Sequence, residues 1–214
     1  MVNMKPAKLE LELVKDKRFW PIAGVDEAAV CDYAGPVYAG AVILDYGLKY
    51  SDFIRDCKTL NDGQLEKAYK EVIQKVKVWS VGKATVREID AKGISWAIDH
   101  AMKRAVKGLG LKPKCLLIDF RNLSGIHCWQ LAEIDGDKKY LCVAAASIVA
   151  KYHHDQEMLR LHNKYPQYNW ARNKGFFNKD HEERIIKYGL TPHHRISWCQ
   201  AIERRRGIKL NIFK

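Results

Sequence analysis

Two adjacent carboxylates, Asp26 and Glu27, directly follow an apolar run at residues 22–25. The run comes after Trp20-Pro21 and has the composition of a core strand. Burying an anion is costly unless a cation or hydrogen-bond donors compensate its charge. Two acids at the end of such a strand therefore predict a functional site, either a metal site or a site for acid–base chemistry.

Asp119 repeats this arrangement, because it ends a second short apolar run at residues 115–118. Functional sites in open α/β sheets form at strand ends. In isolation, Asp119 is equally well interpreted as a solvated residue that begins the turn at residues 120–122. Two further acids, Asp135 and Asp137, lie in a segment that is predicted to be a turn.

The hydrophobic periodicity predicts the strands and helices that would position these acids. An antiparallel meander of three strands leads, through a helix, to a parallel strand that ends at Asp119. Small residues at 144–146 predict close packing beneath the site. The predicted strands are residues 22–28, 34–44, 76–84 and 115–119, and the predicted helices are 63–75, 86–109, 140–161, 180–188 and a last helix through 204–206.

Two other segments carry less specific patterns. In the polar lead-in at residues 1–19, Leu9, Leu11 and Leu13 alternate with acids, and this period of two predicts an edge strand. The segment at residues 167–177 mixes aromatic and basic side chains, which suits base stacking and phosphate contact. A small hydrophobic cluster beneath a surface loop explains the same aromatic residues.

The whole-chain properties predict a cytoplasmic protein with a single domain over residues 1–214. No apolar run reaches the roughly 20 residues of a membrane helix, and the charged start lacks a secretory signal. Six scattered cysteines without a C-x-x-C pair predict free thiols. A net charge of +12 is compatible with a polyanionic partner, or with a basic surface that serves solubility.

A series of short motifs in this chain, taken together and in this order, resembles the ribonuclease HII family. The motifs are Gly24-Val25-Asp26-Glu27-Ala28, Ala34-Gly35-Pro36-Val37, Asp56-Cys57-Lys58, Leu117-Ile118-Asp119, Gly136-Asp137, Ala144-Ala145-Ala146-Ser147-Ile148-Val149-Ala150-Lys151, Lys174-Gly175-Phe176 and Thr191-Pro192-His193-His194-Arg195. Each motif alone is a weak signal, whereas the ordered combination is specific.

The resemblance implies a ribonuclease H-like fold, an α/β fold with a mixed five-stranded sheet, flanking helices and a helical C-terminal part at about residues 165–214 that binds substrate. It also implies a type 2 endoribonuclease that leaves 5′-phosphomonoesters and uses Mg²⁺ or Mn²⁺, with two ions in its mechanism. The family's catalytic and metal-binding acids map onto Asp26, Glu27, Asp119 and Asp137. Asp135 is the competitor for the fourth place.

The expected substrate is an RNA/DNA hybrid or duplex DNA that contains ribonucleotides, and the expected oligomeric state is a monomer without membrane association. Each lysine expected at the substrate is, alone, more often a solvated surface charge, and the histidine and arginine also suit a structural turn. The residues expected to contact substrate are Ala29, Val30, Cys31, Lys58, Lys151, Lys174, Phe176, His194 and Arg195.

Two departures from the family affect its sensor for the ribose 2′-hydroxyl. Ala29-Val30-Cys31 stands where the family has Gly-Arg-Gly, and Phe176 stands where the family has a tyrosine. Val30 is poorly suited to the positive φ that glycine permits, and Phe176 has no hydroxyl to donate. We therefore expect a weakened preference for a lone ribonucleotide. Asp32-Tyr33 also resembles the sister family ribonuclease HIII, which prefers stretches of RNA.

Two alternatives from other functional classes stay open. The chain could bind nucleic acid without cleaving it, although four converging carboxylates repel one another without a cation. It could also be a nuclease of this fold that acts on DNA.

Overall fold

The computed structural model describes residues 6–212 and contains the predicted mixed sheet with flanking helices. The order across the sheet is β3-β2-β1-β4-β5, in which β1 is antiparallel to β2 and parallel to β4. The strands are β1 (Ile22–Ala28), β2 (Val37–Ile43), β3 (Val78–Ala84), β4 (Cys115–Asp119) and β5 (Trp129–Glu133). The predicted α/β class and the antiparallel meander are confirmed.

The helices follow the predicted positions over most of the chain. They are α1 (Lys8–Lys15), α2 (Asp62–Lys75), α3 (Val86–Lys92), α4 (Ile94–Gly108), α5 (Gly136–Lys139), α6 (Leu141–Lys164), α7 (Trp170–Asn173), α8 (Lys179–Tyr188) and α9 (Ile196–Arg206), with short 3₁₀ turns at Cys57–Thr59 and Pro166–Tyr168. No helix within residues 6–212 is long and apolar enough to cross a membrane. All six cysteines lie in this range and are free thiols.

Alternate residues of the sheet face two separate hydrophobic layers, as the period of two in a strand requires. Ile22 of β1 and Val42 of β2 pack with α6 on one face. Val25 of β1 and Ala41 of β2 pack with α4 on the other face. The strand ends that carry the acids are thus held between two buried layers.

Helix α6 lies unusually close to the central strands. A Cβ atom on Gly24 would lie 2.1 Å from the Cys142 carbonyl carbon, and one on Gly40 would lie 2.2 Å from the Ala146 oxygen. The close approach of helix to sheet therefore requires glycine at these two strand positions, and the predicted close packing against the helix is present.

The prediction of an edge strand near the N-terminus is wrong, because residues 8–15 form helix α1. The alternation is broken by a tertiary contact: Glu10 is fully buried, whereas Leu9 and Leu11 are exposed. The Glu10 carboxylate accepts hydrogen bonds from the backbone N–H groups of Leu141 and Cys142 at 2.9 and 3.0 Å. It thereby caps the N-terminus of α6, where negative charge is favourable. Residues 1–5 of the predicted lead-in lie outside the described range.

Two other element boundaries differ from the predictions. The single helix predicted at residues 86–109 is divided at Gly93, whose φ of 84° ends α3 and precedes α4. The acid-rich segment at residues 134–139, which was predicted to be a turn, contains the one-turn helix α5. Both differences reflect backbone conformations at single residues that hydrophobic periodicity does not report.

Candidate active site

The three acids at the ends of β1 and β4 meet at one point. One oxygen from each of Asp26, Glu27 and Asp119 lies within 4.8 Å of the others, a spacing that can hold a metal ion. Parallel pairing of β1 with β4 brings Val25 opposite Ile118, so the acids that follow these residues are neighbours. The interpretation of Asp119 as an isolated solvated turn residue does not hold.

Backbone hydrogen bonds orient two of these carboxylates. The Glu27 N–H donates to Asp26 Oδ1 at 2.7 Å. The Gly136 N–H donates to Asp119 Oδ1 at 2.7 Å, which ties the end of β4 to the start of α5. Each acid is therefore fixed by the backbone while retaining oxygen lone pairs for a cation.

The cluster is electrostatically strained without a cation. Burial, and then the charge of Glu27, raises the pKa of Asp26 well above its ordinary value, while a hydrogen bond from Ser147 acts in the opposite direction. Burial and the charge of Asp119 raise the pKa of Glu27 to about 7. Arg121 and other nearby cations reduce this effect only in part. Carboxylates that destabilise one another in this way are stabilised by a bound cation.

Asp137 lies close enough to this group to act on it electrostatically, whereas Asp135 is exposed and paired with a lysine. Asp137 is buried, with 3% of its surface exposed, and its charge helps to raise the pKa of Asp26. Asp135 is exposed, has a left-handed backbone conformation with a φ of 59°, and pairs with Lys138 at 2.9 Å. The three-acid cluster and the cleft lining within residues 6–212 do not include Asp137, so the fourth position stays a prediction that its burial and its effect on Asp26 favour over Asp135.

The donor set fits a hard divalent cation. Glu27 Oε2 is buried and has no hydrogen-bond partner within residues 6–212. The three clustered groups all offer carboxylate oxygen, which Mg²⁺ and Mn²⁺ prefer. An unpartnered buried carboxylate oxygen is costly by itself, and a bound cation would remove that cost.

The acids open into a cleft of about 650 Å³ that also contains the three lysines predicted to contact substrate. Lys58 and Lys151 border the cleft, and burial opposes the charge of Lys58 while Asp137 and other acids raise its pKa. Lys174 also lines the cleft, and its Nζ lies 3.1 Å from Asp62 Oδ2. The cleft thus combines carboxylates at its base with cations around it.

We call residues 29–35 the specificity loop, and its residues 29–32 line this cleft. The positive φ of 71° falls at Ala29 and not at the β-branched Val30. The carbonyl oxygens of Ala29 and Val30 accept hydrogen bonds from Arg195, and that of Cys31 accepts one from the Phe177 N–H. The amide N–H groups of Val30 and Cys31 have no acceptor within residues 6–212. The loop therefore differs in residue type from a glycine-rich loop but keeps two backbone donors.

The aromatic segment at residues 167–177 divides into the two roles considered for it. Tyr168 and Trp170 are fully buried in a small hydrophobic cluster. Phe176 and Phe177 are about half exposed, and Phe176 lies on the cleft, paired with Asp32 in a β-bridge. Only the second pair has a face available for stacking.

His194 and Arg195 lie behind the specificity loop. His194 is 1% exposed and contacts the Tyr168 ring, and burial lowers its pKa well below the usual range. Arg195 is fully buried and donates to the carbonyls of Ala29, Val30 and Gly35 at 2.7, 2.9 and 2.9 Å. Both side chains contact other residues of the protein, and these contacts support the loop.

Several residues that act on the acids or line the cleft were not predicted. Ser147 and Arg121 act on the acids, and Asp32 of the specificity loop forms a buried pair with His154 in the cleft. Ser147 stands within the alanine-rich motif, which offered a signal. Nothing in the local sequence indicates that Asp32 and His154 meet, because 122 positions separate them along the chain.

The mixed sheet and the carboxylate cluster at adjacent strand ends define a metal-dependent nuclease of the ribonuclease H type. A family model described as ribonuclease HII matches residues 23–201, and the chain belongs to this family of type 2 ribonucleases H. A ribonuclease HII of Bacteroides thetaiotaomicron is 43% identical over 180 residues, covering 82% of this chain and 88% of the relative. One of Dehalococcoides mccartyi is 38% identical over 192 residues, covering 89% and 91%.

Solved structures agree with this assignment. The ribonuclease H2 of Pyrococcus horikoshii OT3 matches with a TM-score of 0.71 and 26% identity, covering 88% of this chain and 99% of that chain. The ribonuclease HII in a complex with PCNA from Archaeoglobus fulgidus matches with a TM-score of 0.70 and 24% identity, covering 83% and 94%. The second likeness concerns the fold alone.

Proposed function

We propose that this protein cleaves the RNA strand of RNA/DNA hybrids with the help of Mg²⁺ or Mn²⁺, and that its preference for a lone ribonucleotide in DNA is weakened. The observation that carries the proposal is the convergence of Asp26, Glu27 and Asp119 at the base of a cleft bordered by lysines. Asp137 is the fourth acid of the site.

Divalent ions held by these carboxylates would stabilise charge on the attacking and leaving oxygens of the phosphodiester. The protein's own contribution is to hold the acids in place and to neutralise the rest of the substrate. Asp119 is oriented by the Gly136 N–H, and Asp26 by the Glu27 N–H. Lys58 and Lys151 border the cleft and would contact the phosphates of a bound strand.

The specificity loop supports a weakened, rather than abolished, recognition of the 2′-hydroxyl. The N–H groups of Val30 and Cys31 are available to a substrate oxygen. Phe176 retains a stacking face but has no hydroxyl. A missing hydrogen bond to substrate removes about 1 kcal/mol of recognition. His194 and Arg195 would contribute to substrate binding indirectly, because they hold the loop that contacts the substrate.

The test is cleavage of three labelled duplexes: a continuous RNA/DNA hybrid, DNA with one embedded ribonucleotide, and DNA alone. We expect the hybrid to be cut with either metal, the single-ribonucleotide duplex to be cut less well, and DNA to remain intact. Asp119→Asn serves as the inactive control. Binding of the hybrid without cleavage would favour a non-cleaving protein, and cleavage of DNA alone would favour a DNA nuclease. Equal or better cutting of the single-ribonucleotide duplex would refute the proposed specificity.

The proposal also predicts that hybrid binding weakens with salt, because phosphate contacts release counterions. Affinity that does not change between low and moderate salt would contradict it. The cytoplasmic location and the monomeric state belong to the same proposal.

A further inference from the structure

A buried ion pair joins the specificity loop to helix α6. Asp32 lies in the loop with 4% of its surface exposed, and His154 lies on α6 with 1% exposed. Asp32 Oδ2 is 3.2 Å from His154 Nε2. Neither atom makes a hydrogen bond within residues 6–212, so the opposite charge is what offsets their burial.

The pair continues along α6 to a lysine in the cleft. His154 Nδ1 lies 3.1 Å from Asp155 Oδ1, and the same oxygen accepts a hydrogen bond from Lys151 Nζ at 2.7 Å. A carboxylate on each side of an imidazole favours its protonated form. Asp32, His154, Asp155 and Lys151 therefore alternate in charge from the loop to a side chain that borders the substrate cleft.

Other polar groups face this pair from the elements packed around it. The Tyr38 ring of β2 contacts the His154 ring at a centroid distance of 6.4 Å. From the C-terminal part, burial lowers the pKa of Arg195 and of His181, and the charge of Asp32 acts in the opposite direction on both. Asp32 is thus a single carboxylate surrounded by groups that can carry positive charge.

Protonation of His154 depends on these carboxylates. Burial alone lowers its pKa, but the contacts with Asp155 and Asp32 outweigh burial and raise it above the ordinary 6.5. Burial raises the pKa of Asp155, whereas His154 and Lys151 together bring it below its ordinary value. The imidazolium therefore persists to a higher pH than that of an ordinary histidine, and its charge is lost as the pH rises through the raised pKa.

The specificity loop needs such an anchor, because its first residue has an unfavourable backbone conformation. Ala29 has a φ of 71°, which a side-chain-bearing residue keeps only when surrounding contacts determine it. Arg195 holds the carbonyl groups of the loop. The contact with His154 is the one that ties the loop's carboxylate to the helix beneath the cleft.

We propose that Asp32 and His154 are positioning residues that set the shape of the specificity loop and, through Asp155, the position of Lys151. They thereby determine how strongly the protein distinguishes a lone ribonucleotide from a continuous RNA strand. The inference rests on the proposed function, because it concerns the two substrates of the same cleft.

The test measures binding instead of cleavage. Dissociation constants for the hybrid and for the single-ribonucleotide duplex are determined with Ca²⁺ in place of Mg²⁺, for the unaltered protein, Asp32→Asn, His154→Gln and the double variant. His153→Gln is the matched control, since His153 is the adjacent histidine on α6 and contacts Tyr69 instead of a carboxylate. We expect each single variant to change the ratio of the two constants by about tenfold, and the double variant to add little further.

A second readout is the pH profile of the same ratio. In the unaltered protein the ratio should change as the pH rises above 6.5, and in His154→Gln, which removes the titrating imidazole, this change should be lost. If a single variant fails to fold, the double variant retains the test, because it removes both charges of the pair together.

The outcomes separate the two proposals. A folded Asp32→Asn or double variant that has the ratio and pH profile of the His153→Gln control would overturn the role of the pair. If the two dissociation constants show the expected ratios but the hybrid is not cut with Mg²⁺ or Mn²⁺, the proposed function would be overturned. The pair's role in discrimination would then still be supported. Absence of binding to both duplexes would overturn both.

Discussion

The acid cluster and the specificity loop share one cleft but are built in different ways. Asp26 and Asp119 stand at the ends of adjacent strands whose register the backbone ladder sets. The loop is held by side chains from distant parts of the chain, such as Arg195, which is 166 positions from Ala29. The sheet therefore positions the acids, whereas long-range contacts position the loop that is proposed to distinguish the two substrates. For this reason the loop can change in sequence while the acids stay in place.

The largest expected effect on cleavage concerns Asp137, the proposed fourth acid. We expect Asp137→Asn to lower the cleavage rate by about a thousandfold, because it removes a charge from the site that stabilises the transition state. Asp135→Asn is the matched control, since Asp135 is exposed and pairs with Lys138. Single-turnover cleavage of a labelled hybrid measures both variants. A similar loss in the two variants would mean that the site has been assigned to the wrong acid.

The next effect tests whether Arg195 supports the loop. Arg195→Ala leaves the buried carbonyl of Gly35 and the partly buried carbonyls of Ala29 and Val30 without their donor, and we expect the free energy of unfolding to fall by about 3 kcal/mol. The exposed Arg204 provides the control variant Arg204→Ala. Urea unfolding followed by fluorescence measures both. Equal midpoints would show that the loop does not depend on this guanidinium.

The acid cluster should respond to pH in a way that depends on metal. The folded protein retains a proton on Glu27 up to about pH 7, whereas the unfolded chain releases it near 4.5. Raising the pH between these values therefore favours unfolding, and we expect the metal-free protein to lose up to about 3 kcal/mol of stability. Added Mg²⁺ should restore most of it, because the ion binds the deprotonated acids.

Urea unfolding at pH 5, 6, 7 and 8, with and without Mg²⁺, measures this response. Asp119→Asn is the control, because it removes the charge that helps to raise the pKa of Glu27. Stability that does not fall between pH 5 and 7 without metal would show that the carboxylates do not repel one another as the structure indicates.

The smallest effect concerns the sensor itself. Phe176→Tyr restores a hydroxyl on the cleft, and we expect cleavage of the single-ribonucleotide duplex relative to the hybrid to rise about fivefold, the value of one hydrogen bond. Phe177→Tyr is the control, since Phe177 is equally exposed and follows directly in the chain. Specificity constants for both duplexes give the result. No change would place recognition of the hydroxyl in the loop backbone alone.

The fold and the acids were largely predictable from local patterns. Strand periodicity located β1 and β4, and the acids at their ends follow from where the apolar runs stop. The N-terminal helix was not predictable, because the alternation of Leu9, Glu10 and Leu11 matches a strand. Only the burial of Glu10 against the start of α6 explains why this segment is helical.

The sequence by itself determined the family, the sheet and the acids that can hold a metal, since each depends on residue type at short spacing. The tertiary structure decided that Asp137 is buried while Asp135 is exposed, that Arg195 lies behind the loop, and that Asp32 meets His154. The physical reason is that backbone conformation at a single residue and pairing across 122 or more positions depend on packing, which local periodicity does not encode.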